Sequence, residues 1–101
     1  MEDKEGKIKS ILIRIFEIKL EKQDIVRNQQ YEKVAQLRDM ERQLERTIYC
    51  LLYGTDDSYD YRKYDDALVI YFKENFNVDY YKSIDSYRQV IRMIKLDELG
   101  I

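Results

Sequence analysis

The chain has 101 residues, 45% hydrophobic and 38% charged, with a formal net charge of −2. That apolar content can build a core and excludes wholesale disorder, and the length fits one domain. Histidine is absent and Cys50 is the single cysteine. An internal disulfide is therefore excluded, and so are the usual zinc, iron and copper ligand sets and Cys–His or Ser–His nucleophiles.

No cofactor is expected, and an enzyme is not expected. The pairs Asp56-Asp57 and Asp65-Asp66 are the only carboxylate candidates for magnesium or calcium, and a solvated acidic loop explains them. Lys and Arg number 11 in residues 1–50 and 7 in residues 51–101, against ten Asp and Glu in each half. The halves carry about +1 and −3 on that count, and neither has the charge of a nucleic-acid surface. The apolar run from Ile11 to Leu20 is broken by Arg14, Glu17 and Lys19. It resembles neither a signal peptide nor a membrane span, so the cytoplasm is the expected location.

Residues 1–6 are charged and read as frayed. From Lys7, Ile8, Ile11, Ile15, Ile18 and Ile25 follow a 3-4 spacing, with Lys22 in the one polar slot. This is a heptad-like seam on a helix, widened by Leu12, Phe16 and Leu20. Ile11, Ile13 and Ile15 alternate as in a strand, but the alternation slips after Phe16 while the 3-4 spacing continues. Asn28 is the expected left-handed residue closing this helix.

A second helix begins at Tyr31. Its seam is Val34, Leu37, Leu44, Ile48 and Leu51, with Glu41 in the polar slot and Met40 beside it. Glu32, Arg42 and Glu45 fit its solvated face. Cys50 lies among apolar neighbours and reads as a buried, inert thiol. Gly54 suits the left-handed cap at the helix end. A corner of about three residues between two amphipathic helices makes residues 7–53 an antiparallel hairpin. One hairpin buries one seam, so a covering surface is expected.

Residues 54–63 read as a polar loop; Tyr59, Tyr61 and Tyr64 either form an aromatic contact patch or, as preferred, Tyr61 and Tyr64 enter the next helix and pack. The third helix is expected near 64–76, with Tyr64, Leu68, Tyr71, Phe72 and Phe76 on one face; a strand over LVIYF is the rival. Asp79 or Ser83 can cap the fourth helix. Tyr80, Ile84, Tyr87, Ile91 and Ile94 form its seam, and it frays near Gly100. The expected architecture is thus all-α. Two antiparallel helical hairpins (7–53 and 64–98) in a single domain form a four-helix bundle, or the first pairs with another chain as a helical homodimer.

Within residues 24–45, Asn28, Tyr31, Glu32-Lys33, Ala35, Leu37-Arg38-Asp39 and Leu44 stand in a distinctive order. In these positions the chain resembles the UVR motif, the short helical hairpin of UvrB and UvrC. The phrase RNQQYEKVAQLRDMERQLE is closest to the version in the middle region of ClpC-type ATPases. Val34 replaces a usually small residue, Gln30 stands where an acid is common, and there are no CxxC pairs of the zinc-binding adaptors. No phosphate-binding GxxxxGK[ST] loop accompanies the motif.

Read physically, Tyr31 plugs the open end of the hairpin, Ala35 permits close approach, and Leu37 and Leu44 fill the seam. Arg38 either braces the corner or faces a partner. The resemblance implies that such hairpins bind another helical hairpin, often one of their own kind. The expected function is a small non-catalytic interaction module that self-associates or docks on a UVR-containing or Clp-type protein. The expected contact residues are Tyr31, Val34, Leu37, Arg38, Leu44, Ile11, Ile15 and Ile18. The alternative is a nucleic-acid-associated accessory protein related to DNA repair, against which the acidic balance weighs.

Overall fold

The computed structural model describes residues 4–55 and 59–100. They form four helices and no strand: α1 (Lys4–Arg27), α2 (Tyr31–Tyr53), α3 (Tyr61–Phe76) and α4 (Ile84–Glu98). The all-α architecture is as the 3-4 spacing predicts. LVIYF is helical because its apolar residues serve a helix face, not two sheet faces.

α1 is the organising helix. At 24 residues it is about 36 Å long. It runs antiparallel to α2, from which three non-helical residues separate it, and it packs along α4 as well. Lys9 bonds Asp97 at 2.5 Å, while Phe16 stacks on Tyr87 at 5.5 Å between centroids. Rising numbers on α1 therefore meet falling numbers on α4, and the two are antiparallel. The adjacent residues Tyr71 and Phe72 on α3 reach Glu5 and Phe16, about three turns apart on α1. α3 thus crosses α1 instead of running along it.

The core forms where these elements meet. Ile8, Leu12, Ile15 and Phe16 from α1 join Ile48 and Tyr49 from α2, Tyr64, Leu68, Tyr71 and Phe72 from α3, and Val90 and Ile94 from α4. Phe16 lies at its centre, fully buried, with Phe72 at 5.9 Å and Tyr80 at 5.8 Å. Offset and tilted rings at these separations add about 0.5–1.5 kcal/mol per pair beyond area burial. The cover for the isoleucine-rich start of α1 comes from residues 64–94 of the same chain.

Several local expectations are corrected. α1 is already helical at Lys4; the expectation for residues 1–3 lies outside the described residues. The left-handed residue closing α1 is Gln29 (φ 61°), not Asn28. Gln30 N–H reaches Ile25 C=O at 3.1 Å and Gln29 N–H reaches Val26 C=O at 3.0 Å. These two bonds form a Schellman closure, which puts the left-handed position one residue later than Asn28. α3 begins at Tyr61, because the Asp60 carboxylate accepts from Arg62 N–H at 2.7 Å and caps it. Tyr64 packs as expected, but Tyr61 points outward. Asp56 and Asp57 lie outside the described residues.

Ser83, not Asp79, caps α4, accepting from Ser86 N–H at 3.2 Å. Asp79 instead faces Lys73 at 3.6 Å. Tyr80 is buried as expected, yet in the connection before α4, not on it. The centre of the buried face of α4 is Val90 and Ile94, with Tyr87 and Ile91 on its flanks. Gly54 takes the left-handed cap as predicted, at φ 82°.

Candidate interaction surface

The α1–α2 hairpin extends past the shared core toward its turn. Its distal half is joined by charge as well as by apolar contact. Lys19 Nζ donates to Glu41 Oε1 at 2.6 Å and lies 3.5 Å from Glu45 Oε1. Lys22 Nζ stands 2.5 Å from Glu41 Oε2 as an ion pair. Glu41 is only 6% exposed, so the network is largely removed from water. The polar slots of the two seams face each other.

The network extends across the loop. Tyr59 donates its hydroxyl to Glu45 Oε2 at 3.2 Å, stacks edge-on to Tyr49, and carries the Arg46 guanidinium 5.4 Å above its ring. Glu45 is therefore half-buried and bonded, not part of a solvated face. Burial opposes ionisation at all three charged groups, but with different outcomes. At Lys19, desolvation is outweighed by the hydrogen bond and charge of Glu41 with help from Glu45, and the ammonium pKa rises. At Glu41, desolvation is outweighed by hydrogen bonds and charge from Lys19 and Lys22, and the pKa falls. At Glu45, desolvation reinforced by the neighbouring Glu41 outweighs Lys19, and the pKa rises.

The residues singled out from the sequence divide into three groups. Ile15 and Ile18 are fully buried within the chain, and Ile11 is half-buried against its core. Val34 and Leu37 are buried on the inner side of the hairpin, with Leu44 half-buried. Tyr31 and Arg38 face outward. Tyr31 is 65% exposed and does not plug the hairpin end; it lies off the Val34–Leu37 seam, on the side of α2 that Tyr59 covers at Tyr49, about five turns further on. Ala35 is exposed for the same reason. No hydrogen bond from Arg38 to the corner is present among the described residues, nor an ion pair of Asp39.

Cys50 is exposed, against expectation. Its apolar neighbours Tyr49 and Leu51 flank a helix position that faces out. A shallow groove of about 250 Å³ lies between the end of α2 and α3, lined by Leu52, Tyr53, Ala67, Ile70, Tyr71 and Glu74. Val69 and Ile70 are about half exposed there. Tyr59 makes aromatic contacts, but with Tyr49 and Arg46 of its own chain; Asp60 was not singled out from the sequence, although Asp60 directly before Tyr61-Arg62 is an N-cap signal.

Among the described residues no cluster of His, Cys, Asp and Glu has the geometry to hold a metal ion, and no helix is long and apolar enough to cross a membrane. No protein-family model, curated protein or solved structure matches the chain.

Proposed function

We propose that this chain is a non-catalytic protein–protein interaction module, acting through the α1–α2 hairpin. It would self-associate or dock on a helical hairpin of a larger UVR-containing or Clp-type protein. The observation that carries the reading is the division of labour along the hairpin. Its base supplies Ile8–Phe16, Ile48 and Tyr49 to the core, whereas Val26, Tyr31 and Met40 stand exposed toward its turn. Apolar side chains on a rigid protruding element, held by buried charge, suit recognition of another helix.

Light scattering over a concentration series, with a pull-down against UVR-containing and Clp-type proteins, tests this. Self-association or capture of one such protein is expected. Tyr31→Asp with Met40→Asp should abolish it while leaving thermal melting within about 0.5 kcal/mol, since both sites are exposed. A strict monomer that captures none of those proteins would sink the reading.

A further inference from the structure

The hairpin carries two charged stripes that do not meet. On α2, Arg38, Arg42 and Arg46 recur every four residues and are exposed. On α1, Glu17, Glu21 and Asp24 form an exposed acidic stripe of similar length. Among the described residues none of these six has an opposite charge within ion-pair distance. Their levels along the hairpin match. The Lys22–Glu41 pair fixes the register, which sets Glu21 level with Arg42, Glu17 with Arg46, and Asp24 close to Arg38.

The stripes point to different sides. Glu17, Glu21 and Asp24 turn away from the side of α1 that meets α4 through Lys9 and Phe16. Arg46 lies over Tyr59, on the side of α2 toward which the chain returns to α3. One chain therefore cannot satisfy both stripes, but a second copy can, because each surface is the complement of the other at the same height.

We infer that the arginine stripe of α2 is a docking surface for the acidic stripe of α1 on a second copy of this chain. The contact is heterologous: the surface used on one copy differs from that used on the next, and each added copy presents a fresh stripe. Exposed charges of this kind give weak, rapidly reversible association that salt suppresses. The inference rests on the self-association reading above and adds a charged contact to its apolar one. A net charge of −2 favours a protein carboxylate row over nucleic acid as the occupant.

Sedimentation velocity on the full chain, up to about 1 mM and at low and high salt, tests this. Association that weakens with salt is expected. Arg42→Glu alone and Glu21→Arg alone should each weaken it by about fivefold. An equimolar mixture of the two should restore it, because the reversed stripes complement each other. Circular dichroism checks that each variant keeps its helix content. Salt-insensitive association untouched by either reversal overturns the stripe contact but leaves self-association standing. A chain that stays monomeric throughout overturns both self-association and the stripe contact, as does Arg42-dependent binding of an oligonucleotide by such a monomer. A mixture that fails to recover overturns the assigned pairing.

Discussion

Lys22 of α1 and Glu41 of α2 stand 2.5 Å apart, each at the one polar slot of its own apolar seam. Two interruptions that look separate in sequence are halves of one contact. With Lys19 they close a largely buried network, and such a network fixes register because any slip leaves a buried charge unpaired.

A double-mutant cycle measures that coupling. Glu41→Met leaves Lys22 without its partner and should cost about 2 kcal/mol in urea unfolding; Lys22→Met should cost less, because Glu41 keeps Lys19. The double variant, with apolar groups in both slots, should recover part of the loss. Additive costs would mean the pair contributes no coupling.

The two glutamates give opposite pH signatures. The lowered pKa of Glu41 contributes stability that is present above its ordinary value of 4.5 and lost as pH falls through the folded value. The raised pKa of Glu45 contributes stability that is present below 4.5 and lost as pH rises through the folded value. Glu41→Gln should therefore weaken the protein at pH 7 more than at pH 3, and Glu45→Gln should stabilise it at pH 7 relative to pH 4. Urea midpoints across that range read both signs.

Alkali should unfold the protein through its tyrosines. Burial, reinforced by Glu45, pushes Tyr59 to about 12, and burial also raises Tyr64, Tyr71 and Tyr80 above the ordinary 10.0. The fold favours their neutral forms, so the contribution is present below pH 10 and is lost as pH rises beyond it. Phenolate absorbance should show a late phase that coincides with loss of helical circular dichroism. A single smooth titration with helix intact would contradict it. The buried Tyr64 hydroxyl finds no hydrogen-bond partner among the described residues, so Tyr64→Phe should raise stability by about 1 kcal/mol.

The hairpin turn is open to improvement. Gln29 holds a left-handed conformation that costs a residue with a Cβ about 1 kcal/mol. Gln30 begins α2 without a side-chain cap. Gln29→Gly and Gln30→Asp should each raise the melting temperature, by about 0.5–1 kcal/mol equivalent, and together nearly additively. A fall in either variant would show that the turn is held by something other than these backbone preferences.

Helix number, the α1–α2 pairing and the polar slots were legible in the sequence because 3-4 spacing and the left-handed Gly54 report local geometry; the expected pairing of α3 with α4 gives way to packing of α4 along α1. What touches what was not. Lys22 and Glu41 were each visible as exceptions, but pairing them needs the register of one helix against another. Cys50 was misread because its neighbours in sequence are apolar, although burial follows helix phase. Val90 was overlooked because Tyr87 and Ile91 are larger and flank it. Tyr31 was misread for another reason: it shares the helix phase of Tyr49, about five turns on, but Tyr49 is covered by Tyr59 and the second half of the chain.

Phe16 carries a kinetic consequence. Its ring partners Phe72, Tyr80 and Tyr87 all come from the second half of the chain. The α1–α2 hairpin closes through short-range contacts and is available early, as local contacts generally are. The face from Ile8 to Phe16 stays open until α3 and α4 are synthesised. During that interval a nascent chain displays its most apolar stripe, which makes this stripe the segment most prone to misassociation and the point at which folding commits.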